Sequence, residues 1–145
     1  MKAVKLVRAT NEDIKTLLEI EKTAEGLKTY SGEFNEKGVE EWLDSDIVYL
    51  IKKDKVIVGN ISYEVKNSKH AYISGLIIKP EFQKQGLSKQ AMQLLLEELK
   101  NFKKLSLVVH PDNHAVRLYE SFGFINKGRK ENYYGDGEPR LMMVK

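Results

Sequence analysis

Lys79–Met92 reads KPEFQKQGLSKQAM and joins an apolar run, AYISGLII (71–78), to a periodic one, MQLLLEELKNF (92–102). A strand-to-helix connection needs only a short turn, yet this one carries two lysines, a glycine and several polar side chains between Gln83 and Lys89. Gln83, Lys84, Gln85, Gly86, Leu87, Ser88 and Lys89 fall where a helix presents unpaired backbone N–H groups, which together with the helix dipole attract anions. Gly86 lets backbone approach a bulky phosphate with no Cβ in the way. Lys84 and Lys89 add positive charge, Ser88 offers a hydroxyl, and Pro80 ends strand pairing just before the loop. On the residues alone, a solvated helix start with incidental polar residues fits as well, because a single glycine is weak evidence.

Outward from this junction the patterning resolves into alternating elements. AVKLVRA (3–9) alternates like a half-buried strand, and TNED (10–13) supplies an N-cap and early acids for a helix over 14–26 that Gly26 closes. Residues 27–34 read as a loop and 35–45 as a second helix, with Val39, Trp42 and Leu43 on one face. Residues 46–67 hold two strands around KKDK, and 70–79 a third. The helix over 86–102 has a broad stripe from Leu87 to Leu99. A strand over 104–110, a helix over 113–122 ended by Gly123, and two strands flanking the turn-rich GDGE (135–138) complete the chain. This order predicts an α/β (mixed α+β) fold: a mostly antiparallel sheet of about seven strands, four helices on its faces, and a cleft between the strands near 70–79 and 104–110.

At 145 residues the chain reads as one domain, 1–145. With 24 basic and 21 acidic residues the charge is mixed rather than polybasic, so no nucleic-acid partner is expected. The absence of cysteine removes disulfides, thiolate metal sites and a cysteine nucleophile, and no metal is expected. No apolar run approaches the roughly 18 residues of a membrane span, and the N-terminus lacks an apolar leader. The expectation is a cytoplasmic protein without membrane contact, monomeric or homodimeric.

GLIIKPEFQKQGLSKQAM (75–92) resembles the acetyl-CoA motif of the GCN5-related N-acetyltransferase (GNAT) superfamily, Gln/Arg-x-x-Gly-x-Gly/Ala. HPDNHAVRLYESFGF (110–124) resembles that family's second motif, Asn-x-x-Ala-x-x-Leu-Tyr-x-x-x-Gly-Phe. Ser88 departs from the usual Gly or Ala. The second motif is one residue short, so either Asp112 or Asn113 takes the place of its Asn. The resemblance implies an acetyl-CoA-dependent N-acetyltransferase acting by direct attack of an amine in a ternary complex. It also implies that the backbone of Leu76, Ile77 and Ile78 pairs with the pantetheine arm and that residues 84–89 hold the diphosphate.

Tyr119 falls on the family's tyrosine near the coenzyme sulfur, and a phenol with pKa near ~10 can protonate a leaving thiolate. It reads otherwise as a core aromatic whose hydroxyl merely finds a partner. For the base, Tyr72 on the strand before the junction and His110 on the later strand are candidates; His110 keeps the face of Val108 and, as an imidazole, is the side-chain type suited to relaying a proton, or else simply caps the next helix. The acceptor side is expected between residues 24–34 and the last hairpin, with Tyr30, Glu33, Tyr133 and Tyr134 as substrate contacts. The tyrosine pair resembles the C-terminal hairpin of ribosomal-protein and other N-terminal α-amine acetyltransferases, which points first to a peptide or protein α-amine. The alternatives are a small-molecule amine acceptor and a non-catalytic acetyl-CoA sensor.

Overall fold

The computed structural model describes residues 4–145. β1 (Val4–Arg8) passes through a tight turn at Asn11–Asp13 into α1 (Ile14–Lys22). Thr10 caps that turn, its hydroxyl accepting from Glu12 N–H while Asp13 accepts from Thr10 N–H. α1 stops four residues short of the expected Gly26, because Thr23, Ala24 and Glu25 switch to tighter bonds onto the third carbonyl back; Gly26 then turns at φ +86°. α2 (Glu36–Ser45), β2 (Ile47–Lys53), β3 (Val56–Asn67) and β4 (His70–Ile78) follow, then α3 (Leu87–Glu98), β5 (Lys104–Val109), α4 (Ala115–Ser121), β6 (Ile125–Lys130) and β7 (Arg140–Val144). The expected strand 3–9 starts outside the described residues. α3 ends at Glu98 rather than 102, since Phe102 N–H bonds to Leu99 and turns the chain toward β5.

The described strands form one mixed sheet of seven in the order β1-β2-β3-β4-β5-β7-β6, antiparallel except where β4 meets β5. Four α-helices cover it, which is the fold expected from the sequence. Alternation sends successive residues of β2 to opposite faces. Val48 and Leu50 meet Leu17, Ile20 and Val39 from α1 and α2. Ile51 meets Ala91, Met92 and Leu95 from α3. Each fully buried aliphatic side chain of this kind contributes roughly 1.5–3 kcal/mol. Leu94, expected in the stripe of α3, is instead 42% exposed.

The feature that opens the fold for function is in β4. Pairing runs from Ser62–Gly75 directly to Tyr63–Ile73, so Ser74 is an extra, bulged residue. The bulge resets the alternation: Ile73 and Ile78 both face α3, while Ile77 faces α1 and α2. At the same point β5 leaves β4, for their parallel pairing covers only His70–Ile73 against Lys104–Leu107. Beyond it β5 continues alongside β7 through Val109, and the β5-facing edge of Ser74–Ile78 is left without a strand neighbour.

Candidate active site

Two cavities meet at this split. The first is a narrow cleft between the parted ends of β4 and β5, lined by Gly75, Leu76, Val108, His110, Asn113 and Tyr119 among others. The second, about 460 Å³, opens toward α2 and is lined by Glu21, Glu33, Glu41, Trp42, Asp46 and Tyr72 among others. They share Tyr30, Ser31, Ser74, Gly75 and Tyr134. The two cavities therefore adjoin at Ser74 and Gly75.

The junction after β4 leaves backbone amides open at a helix start. Lys84 and Gly86 both take left-handed conformations, φ +64° and +76°, curling the loop so that α3 begins at Leu87. Only Gly occupies such a backbone without strain, and a Cβ on Gly86 would meet nothing within 4 Å. The space beside it is open. The first helical bond runs from Gln90 N–H to Gly86, so the amides of Leu87, Ser88 and Lys89 have no helical partner. Among the described residues no side chain caps that turn. Leu87 itself is a core residue, which anchors the helix start while its N–H faces out of the helix. Gln83 is turned inward, its amide donating to the Ile78 carbonyl at 2.9 Å, so it braces the loop. Gln85 accepts from Lys53 at 2.8 Å. The unpaired edge of β4 and this amide nest are the chemistry that a pantetheine arm and a diphosphate require.

Tyr119 lies on α4, is 7% exposed and lines the cleft. Its ring packs edge-on against Phe124, 6.0 Å between centroids. Burial pushes the phenol well above its ordinary pKa, so it stays protonated and available as a donor. Of the two candidates for the second motif's Asn, Asn113 lines the cleft. Its Oδ1 accepts from Ala115 N–H at 2.9 Å, fixing the start of α4. The Asp112 carboxylate instead pairs at 3.2 Å with Lys28, both side chains over 60% exposed.

The two base candidates are placed differently from what a free base requires. His110 is buried at the cleft wall, with Nδ1 accepting from Asp112 N–H at 3.0 Å and Nε2 against Glu138 Oε1 at 2.8 Å. An acceptor at Nδ1 puts the proton on Nε2, so both nitrogens are engaged and the residue latches the β6–β7 loop to the cleft. Tyr72 lines the acceptor-side cavity, and burial, with the neighbouring Tyr134 second, drives its phenol far up. A group that resists ionisation so strongly donates protons rather than collecting them. Tyr134 lines both cavities. Tyr133 packs edge-on beside it at 4.8 Å under Lys130 and lines neither.

Several residues of the site went unread in the sequence. Asp46 ends a directed chain: Trp42 donates to Ser62 at 3.3 Å, Ser62 to Ser74 at 2.8 Å, and Ser74 to Asp46. Arg140 is 2% exposed at the cleft, paired with Asp136 at 3.2 Å and set over the Tyr134 ring at 5.1 Å. Its one signal was a lone charge opening an apolar strand. Glu21 sits one helical turn after Leu17, inside the buried stripe of α1, and that position was the available clue. Among the described residues no cluster of His, Cys, Asp and Glu could hold a metal ion. No helix there is long and apolar enough to cross a membrane.

Comparison with known proteins agrees with this geometry. The model of the acetyltransferase (GNAT) family matches residues 12–124. A curated relative, an uncharacterised N-acetyltransferase ycf52 from Gracilaria tenuistipitata var. liui, is 27% identical over 84 residues, 58% of this chain. That match spans 46% of the relative, less than half its length. The ribosomal-protein-S18-alanine N-acetyltransferase of Escherichia coli superposes with a TM-score of 0.80 at 22% identity, covering 99% of this chain and 92% of that one. A spermidine N-acetyltransferase SpeG mutant from Vibrio cholerae gives 0.79 at 19%, covering 98% and 92%. At such identities the structural likenesses establish the fold.

Proposed function

Because the chain belongs to the acetyltransferase (GNAT) family, we propose that it is a single-domain N-acetyltransferase that moves the acetyl group of acetyl-CoA to a primary amine on a cationic acceptor. Acetyl-CoA, the donor of this family, supplies an activated acetyl thioester. The edge of Leu76–Ile78 and the amides of 84–89 would hold it. The observation that carries the acceptor reading is the cavity beyond Ser74. Four carboxylates, Glu21, Glu33, Glu41 and Asp46, share it with the aromatic faces of Trp42, Tyr72 and Tyr134, and none of its lining residues is Lys or Arg. Carboxylates draw a cation in, and aromatic faces hold it.

The amine must lose its proton to attack, so the acidic rim serves capture while the reaction takes place at the narrower junction around Ser74 and Gly75. Tyr119, buried at the cleft and protonated, would give its proton to the leaving sulfur. A peptide or protein α-amine is the first acceptor class, because residues of two surface loops, Tyr30–Glu33 and Tyr134 of the β6–β7 connection, border the cavity beside α2 and β4 and resemble the loops that receive a chain end in N-terminal α-amine acetyltransferases. A small polyamine is the second, favoured by the number of carboxylates. Release of CoA thiol with a panel of free-N-terminus peptides, with and without basic residues at positions two to four, and with spermidine, tests the reading. Basic peptides or spermidine should exceed neutral acceptors at least fivefold in kcat/KM, and a preference for neutral or acidic acceptors would overturn it. A cytoplasmic location accompanies this reading.

A further inference from the structure

We propose that Glu21 receives the proton released by the acceptor amine, handed on through the hydroxyl of Tyr30. This rests on the acetyl-transfer reading and supplies the proton acceptor that neither Tyr72 nor His110 provides. Glu21 is 2% exposed and still forms part of the acceptor cavity. Both its oxygens accept from the Tyr30 hydroxyl, at 3.2 and 3.1 Å. Oε1 also takes the Glu33 N–H at 3.2 Å, and Oε2 the Asn60 amide at 3.0 Å. The carboxylate is thus fixed from α1, β3 and the acceptor loop together. Tyr30 lines both cavities, and a Cβ placed on Gly75 would stand 3.9 Å from its hydroxyl. One phenol therefore links the strand edge where the reacting groups meet to a buried carboxylate.

The surroundings tune this pair for accepting protons. Glu33 faces Glu21 from the loop, Glu41 and Asp46 from α2 and its end, Tyr72 and Tyr134 from β4 and the hairpin, and Tyr119 from α4 beside Tyr30. Burial first, with the Glu33 charge adding, raises the Glu21 carboxyl above its ordinary range. A more basic carboxylate is a better acceptor near neutrality. As the amine nitrogen bonds to the acetyl carbon, the carbon–sulfur bond breaks and the sulfur takes the Tyr119 proton. The surplus proton on nitrogen passes to the Tyr30 oxygen while the Tyr30 proton passes to Glu21. Glu21 then loses it to water in the open cavity, and water restores Tyr119. Glu21 acts through Tyr30 and is a positioning and proton-storing residue.

Glu21→Gln keeps the shape and removes the basicity; Tyr30→Phe removes the link and leaves the Asn60 and Glu33 bonds in place. With whichever acceptor the wild type turns over fastest, both variants should lose tenfold or more in kcat with less than threefold change in KM for the amine. The acid limb of log kcat against pH should fall from a slope of two, one proton on the amine and one on Glu21, to a slope of one. Independently of any acceptor, the Tyr30 signal in protein labelled with ¹³C at tyrosine Cζ should shift as Glu21 titrates, and stay still in Glu21→Gln. A Tyr30→Phe enzyme within twofold of wild type, a retained slope of two, or a Tyr30 signal that ignores Glu21 would each overturn the relay. If Glu21→Gln does not fold, Tyr30→Phe and the label decide alone. A wild type that prefers neutral amines would sink the acceptor reading and leave the relay under test on those amines.

Discussion

The cleft between β4 and β5 and the cavity beside α2 adjoin at Ser74 and Gly75, yet they are made of different materials. The cleft and its adjoining loop present backbone: an unpaired strand edge, a left-handed glycine and the free amides of one helical turn. The cavity presents side chains gathered from α1, the loop at 30–33, α2, β4 and the last hairpin. Backbone recognition suits a donor whose amides and phosphates do not vary. Side-chain recognition suits an acceptor whose identity can change without disturbing donor binding. The bulge at Ser74 lets both exist in one strand, because it lies where pairing with β5 stops and turns Ile78 to the same core as Ile73.

Substitutions that strike one half and spare the other sharpen this contrast. The largest effect is expected from Gly86→Glu. It places a negative charge at the anion nest and forces an L-residue to φ +76°, a backbone cost of roughly 1–2 kcal/mol. Acetyl-CoA affinity should fall at least a hundredfold by calorimetry with a cooperative melt retained, whereas unchanged affinity would place the anion site elsewhere. Next, Tyr119→Phe should lower kcat within the ~10²–10⁴ range of general acid–base groups and leave acetyl-CoA affinity within twofold; an equal rate would remove the phenol from proton transfer. The smallest change is expected on the acceptor side. Glu33 and Glu41 are partly solvated, and exposed charge pairs contribute ~0.2–1 kcal/mol each. Glu33→Gln with Glu41→Gln should therefore raise KM for a dicationic amine about three- to tenfold, less so at high salt, with KM for acetyl-CoA unmoved. A KM rise equal for neutral and cationic amines would show that these carboxylates shape the pocket without acting by charge.

The geometry of the junction after β4 was readable because its determinants are local. Loop amides, glycine and helix start lie within seven consecutive residues, and the periodicity of β4 and α3 places them without reference to any distant residue. Helix ends were read less well: α1 and α3 both stop early, where competing turn bonds replace helical ones. The acceptor half was legible only in its loops. Glu33, Tyr30 and Tyr134 were named and do line it, but Tyr133 lines neither cavity and packs edge-on against Tyr134 instead. Trp42 looked like plain core on the apolar face of α2, yet its ring nitrogen starts the chain to Asp46. His110 was read as either a base or a helix cap, and its partner Glu138, 28 residues away in sequence, was not legible.

By itself the sequence determined the family, the order of elements and the glycine-led start of α3, since hydrophobic period and one glycine act at short range. Only the tertiary structure decided which strand parts from its neighbour, which carboxylates converge on one cavity, and that a buried glutamate reaches the reaction cleft through a tyrosine. Those are contacts between residues far apart in the chain, and charge and burial take effect only when folding brings such residues within a few ångströms of one another.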